Sequence, residues 1–119
     1  MAGTVTVTES RTGSVKKLRF AWTSSAGGLA DLATTFHYNG KIIALMTDPG
    51  ATAPDDNYDV ALLDADGDDV LAGAGLNRDT ANTEIVAEAL LGAVATSILT
   101  LQVSGAGAAK EGVVVVWLR

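Results

Sequence analysis

DNYDVALLDADGDDVLAGAG, residues 56–75, is the stretch on which the fold turns. Tyr58, Val60 and Leu62 alternate with Asp59, Ala61 and Leu63, and alternation at period two marks a strand with one buried face. DADGDD follows, and its Asp66-Gly67 dipeptide accepts positive φ at low cost. Standing between two apolar runs, it predicts a hairpin whose return strand begins at Val70 and Leu71.

Working outward, the same period recurs. Leu18, Phe20 and Trp22 share one face of a predicted strand over 15–22, with Lys17, Arg19 and Ala21 on the other. Leu32, Thr34, Phe36 and Tyr38 alternate up to Asn39-Gly40, and Ile42, Ala44 and Met46 resume beyond it. Asn-Gly between alternating runs predicts a second hairpin, with a type I′ turn. Residues 47–57 hold both prolines and read as a surface loop, and residues 73–83 are a second loop. The segment 85–94 is open between one or two helical turns and an extended chain. Leu99, Leu101 and Val103 point inward from a strand over 98–104, which a longer turn joins to the wholly apolar strand 113–118 as a final hairpin. Thr4–Thr8 is β-branched and suits an edge strand or an arm that orders on a neighbour.

These elements predict an all-β fold, an antiparallel β-sandwich or jelly roll of about 7–9 strands. One domain is expected over residues 1–119, with 1–14 as a possible flexible arm. The expected core is Leu18, Phe20, Trp22, Phe36, Ile42, Tyr58, Val60, Leu62, Leu99, Leu101 and Val103 with alternate residues of 113–117.

Charge divides the chain more sharply than its net value of -6 suggests. Residues 1–41 hold five bases and two acids, hence +3; residues 42–91 hold eleven acids and Arg78 alone, hence -10; the rest adds +1. An acidic middle argues against a nucleic-acid partner, because phosphate binding needs clustered Lys and Arg. The acidic middle reads first as a solvated edge that aids solubility; the alternative is a docking polarity, since opposite charges in one module suit docking between copies or onto a basic partner. Cysteine is absent, which excludes a thiol nucleophile, a disulfide framework and a thiolate metal site. No run of about 18 apolar residues predicts a membrane span, and the N-terminus has no secretory pattern, so a cytosolic product is expected.

Chemistry is sparse. His37, the one histidine, lies in a predicted strand, across from Phe36 and Tyr38 by alternation, and is expected to be a satisfied or solvent-facing residue. No nucleophile elbow, phosphate-binding loop or dinucleotide fingerprint is present, since GAGLNR at 73–78 lacks the third glycine. Asp64, Asp66, Asp68 and Asp69 place carboxylates at alternate positions of a turn, as calcium loops do. The match then fails, because Gly67 falls inside the ligand run and position 12 from Asp64 is Gly75, where a bidentate glutamate is needed. A non-enzyme with no catalytic, cofactor or metal site is expected.

The pattern N-Y-D-V-x-L-L-D-x-D-G-x-D-V-L-A-G over 57–73, then Asn77-Arg78, Asn82-Thr83-Glu84, L-x-L-x-V-S-x-A-G over 99–107 and a final strand ending in Leu118-Arg119 resembles a recurrent family of small structural proteins of tailed bacteriophages and prophages. The resemblance covers residues 38–119, with Trp22-Thr23-Ser24 matching more loosely. Gly105 stands where the family often has alanine, and residues 84–97 are unusually rich in alanine. It implies a virion component without catalytic residues, in the first place a head decoration or cement protein and otherwise a neck, spike-base or tail adaptor. The implied partner is the major capsid protein or another virion protein, and the implied assembly a homo-oligomer such as a trimer. The loop after the opening stretch is the expected contact surface. A calcium-dependent carbohydrate- or surface-binding sandwich is the rival reading.

Overall fold

The computed structural model describes residues 3–119. Its strands are β1 (Thr4–Ser10), β2 (Lys16–Thr23), β3 (Ala30–Ala33), β4 (Tyr38–Pro49), β5 (Asp59–Leu63), β6 (Glu84–Ala87), β7 (Ala93–Ser97), β8 (Thr100–Ser104) and β9 (Glu111–Leu118). A single 3₁₀ turn, Glu88–Leu90, separates β6 from β7. All pairings are antiparallel. One sheet has the order β1-β2-β9-β4-β6, with β7 on the first part of β4, and the other has the order β3-β8-β5. The fold is an antiparallel β-sandwich, as the alternation predicts.

The core lies between the sheets. Across the larger one, Leu18 faces Val116 and Phe20 faces Val114, while Leu45 of β4 meets Val116 from the other side. Val60, Leu62, Leu101 and Val103 of the smaller sheet supply the opposing layer, all at most 2% exposed. Each large side chain buried in this way contributes about 1.5–3 kcal/mol. Phe36 departs from the predicted core: it is 40% exposed and lies under the Arg11 guanidinium, 3.4 Å from its ring centre. The turn that carries it crosses between sheets, so strand alternation does not govern its direction.

Asn39-Gly40 is not a hairpin turn. It lies within β4, where the pairing with β7 shifts register between Tyr38 and Gly40. Gly40 has φ 128°, and a Cβ there would collide with the Arg119 carbonyl. Glycine is therefore required here for close backbone approach rather than for chain reversal. A second shift, between Ile42 and Ala44, moves the inward set from Ile42 to Leu45 and Thr47. β3 and β4 belong to different sheets, and β4 runs on through Pro49, so the predicted loop begins at Gly50.

The opening stretch forms its first strand and its turn but not its return strand. Gly67 has φ 86°, and its amide donates to the Asp64 carbonyl at 3.0 Å. Ladder pairing then stops after one bridge, Leu63 to Asp69. The Asp69 carboxylate draws the chain into a further turn by accepting from the amides of Leu62, Leu71 and Gly73 at 3.0–3.1 Å. Val70 and Leu71 drop into the core instead. Residues 75–78 run beside β5, with the Val60 amide donating to the Gly75 carbonyl at 2.8 Å.

The predicted final hairpin is also absent, because β8 pairs with β3 and β5 while β9 pairs with β2 and β4. Residues 84–97 divide into strand, one 3₁₀ turn and strand. Thr4–Ser10 pairs with β2 along its whole length as the edge strand of the larger sheet. Among the described residues no helix is long and apolar enough to cross a membrane.

Candidate functional site

The acidic turn splits into two parts of different character. Oxygens of Asp64, Asp66 and Asp68 lie within 4.8 Å of one another, with Asp66 and Asp68 exposed. Asp64 Oδ1 also accepts from the amides of Asp66 and Asp68, both at 3.0 Å, so part of its capacity is spent in closing the turn. Asp69 is turned away and caps the next turn. Three of the four carboxylates of the turn thus lie together.

His37 is exposed in the turn between β3 and β4 rather than in a strand. The residues of the expected contact loop bond largely inward. Arg78 pairs with Glu84 at 3.6 Å, Thr83 donates to Asp48 at 2.8 Å, Asn82 donates to Asp79 at 2.9 Å, and Thr80 donates to the Pro54 carbonyl. The Asp79 carboxyl is held below its ordinary value by the Asn82 side chain and the Ala81 amide. The polar motif after residue 75 thus has a structural explanation in holding loop to loop.

The outer surface of the smaller sheet carries a groove of about 430 Å³. Asp31, Gln102 and Ala61 form one cross-strand row on its floor. Asp59 and Ser104 add polar atoms, and Leu29 and Leu76, each about half exposed, contribute apolar walls. The Asp59 carboxylate is partly occupied by the Asn77 amide at 2.9 Å.

The outer surface of the larger sheet is apolar at its centre. Alternation turns Val114, Val116 and Leu118 inward, which leaves Val113, Val115 and Trp117 outward. Ala44 and Met46 of β4 stand beside Trp117 and Val115, and Ala87 and Ile85 of β6 stand beyond those. Ile85 is 71% exposed, whereas Val115 is only 2% exposed because its outward neighbours surround it. On the other flank, Arg19 is level with Val115, and the Lys17 ammonium lies 5.7 Å from the Trp117 ring centre. The signal for this surface was available in GVVVVWL, because a strand apolar at every position has two faces to cover.

No protein-family model matches the chain, and no curated protein matches it. Among solved structures, it is similar to one from a study of carbohydrate-binding modules of the β-sandwich superfamily, at 17% identity and TM-score 0.48. That match covers 100% of this chain and 55% of the other, so the chain spans about half its length. A low-affinity xylan-binding module from Roseburia intestinalis matches at 13% identity and TM-score 0.40, over 98% and 84% of the two chains. A cupin domain from Bordetella pertussis Tohama I matches at 13% identity and TM-score 0.38, over 99% and 94%. These are likenesses of β architecture alone.

Proposed function

We propose that this chain is a non-enzymatic structural protein of a tailed-phage virion, a head decoration or cement protein that assembles as a homo-oligomer and binds the capsid lattice. The observation that carries the assembly part of the reading is the second apolar face of β9. Among the described residues no other layer covers this side of the larger sheet, where Ile85 is 71% exposed, Val113 and Trp117 are half-buried and Val115 is enclosed by its neighbours. A contiguous apolar surface on a small domain marks an interaction site. The virion part rests on the resemblance over residues 38–119. The test is a map of intact particles of the phage that encodes the chain. Density for it in a copy number set by head lattice symmetry supports the reading. A few copies per particle move it to the neck, spike base or tail, and none overturns it.

One observation favours a second reading, a carbohydrate- or surface-binding module. The groove on the smaller sheet brings carboxylate, amide and hydroxyl groups together between two leucines, a mixture suited to polyols. Calorimetry with soluble oligosaccharides, with and without calcium, tests it. Heat that disappears in Gln102→Ala supports this reading, and no heat in either condition removes it.

A further inference from the structure

The outward face of the larger sheet is charged at two diagonal corners and apolar between them. Lys17 and Arg19 mark one corner, level with Trp117 and Val115. Asp48, level with Val113, and Glu111, two residues before it on β9, mark the other. Lys17 and Arg19 have no ion-pair partner among the described residues, whose salt bridges join Arg78 to Glu84 and Arg119 to Glu88. Asp48 accepts one hydroxyl, from Thr83, and Glu111 accepts the Thr52 amide at 3.3 Å. Val115 occupies the middle of the face.

We infer that this face is closed by a second copy of the chain, paired about a twofold axis that lies in the plane of the face and passes over Val115. Such an axis brings the basic corner of each copy over the acidic corner of the other, and the half-buried Trp117 and Met46 pack in the centre around Val115, which its own neighbours already enclose. A face that carries both signs is self-complementary about such an axis, since each charged patch meets its opposite on the other copy. Five strands at about 4.8 Å spacing, and the run from Lys17 to Thr23 at about 3.4 Å per residue, give a face roughly 24 by 20 Å. Two such faces bury on the order of 1,000 Å², the lower edge of specific interfaces. The pair is therefore a reversible dimer rather than an obligate one.

The inference rests on the assembly reading only in taking this face as a contact surface. The experiment is sedimentation velocity on the purified full chain from about 1 μM to about 1 mM. The expected result is a monomer–dimer equilibrium. The double variant Lys17→Glu/Arg19→Glu is expected to raise the dissociation constant at least about tenfold, and adding Asp48→Lys/Glu111→Lys to restore the dimer. Circular dichroism confirms that each variant is folded. A chain monomeric throughout, a trimer, a charge-reversed variant whose dissociation constant is unchanged, or a fourfold variant that is not restored towards the parent value overturns the pairing. Co-sedimentation with particles stripped of the chain is read separately. A monomer that still saturates particles overturns the pairing alone, and a dimer that binds none overturns the virion reading alone.

Discussion

The Tyr38 hydroxyl donates to Glu9 Oε1 at 2.7 Å, and the same carboxylate accepts from the amides of Thr35 at 3.2 Å and Phe36 at 3.3 Å. Glu9 is the penultimate residue of the edge strand β1, and its partners are Thr35 and Phe36 of the turn that follows β3 in one sheet and Tyr38, which opens β4 in the other. One side chain thus ties the edge of the larger sheet to a crossover between the layers. Burial alone would raise the Glu9 carboxyl, but the bonds from Tyr38, Thr35 and Phe36 outweigh it and hold it below the ordinary 4.5. Its stabilisation is therefore full above pH 4.5 and lost as pH falls through the lowered value. Glu9→Ala is expected to cost about 1–2 kcal/mol at neutral pH in urea unfolding, with the gap to the parent chain closing in acid.

Both tyrosines resist ionisation. Burial, then the Glu9 hydrogen bond and charge, carries Tyr38 well above its ordinary 10.0, and burial pushes Tyr58 up to about 12. The folded state thus favours the neutral phenols, so this stabilisation is full below pH 10 and falls as pH rises through the folded values. Phenolate absorbance is expected to stay absent past pH 10 and to appear together with loss of the sheet signal in circular dichroism. Phenolate forming in a still folded chain near pH 10 would contradict this.

Tyr58 and Tyr38 differ in what their hydroxyls touch. The Tyr58 ring packs 5.7 Å from Trp22, centre to centre, and its buried hydroxyl has no hydrogen-bond partner among the described residues. Thr47 lies nearby but outside hydrogen-bond geometry. Tyr58→Phe is expected to leave stability unchanged or raise it by up to about 1 kcal/mol, whereas Tyr38→Phe lowers it by about 1–2 kcal/mol. Thermal unfolding of the two variants side by side measures the contrast.

Within the acidic turn, Asp69 and Asp66 are expected to behave oppositely. Asp69→Ala leaves three amides without their carboxylate acceptor and is expected to cost about 2–3 kcal/mol. Asp66 is exposed, and its removal is expected to stay within about 0.5 kcal/mol. Equal losses in urea unfolding would show that the turn is held some other way.

Two glycines with positive φ separate strain from collision. Gly67 has open space around its missing Cβ, so Gly67→Ala is expected to cost about 1 kcal/mol. Gly40→Ala adds a clash with the Arg119 carbonyl and is expected to cost more than about 2 kcal/mol, read as a drop in melting temperature about twice as large.

What the sequence by itself determined was local: strands over 58–63, 98–104 and 113–118, which the structure bounds at 59–63, 100–104 and 111–118, the inward side of Leu18, Phe20 and Trp22, the reversal at Gly67, and hence an all-β sandwich. Period two reports which side of a strand is covered, and that signal needs no knowledge of what covers it. Tertiary structure alone decided the pairing. Asn39-Gly40 looked like a turn because glycine permits positive φ, yet positive φ serves equally at a bulge pressed against Arg119. Val70 and Leu71 looked like a return strand because they are apolar, but the Asp69 cap turns them into the core. The outward half of β9 was written in its uninterrupted valines. Whether another layer of the same chain covers it depends on contacts between strands far apart in sequence, and no local periodicity records those.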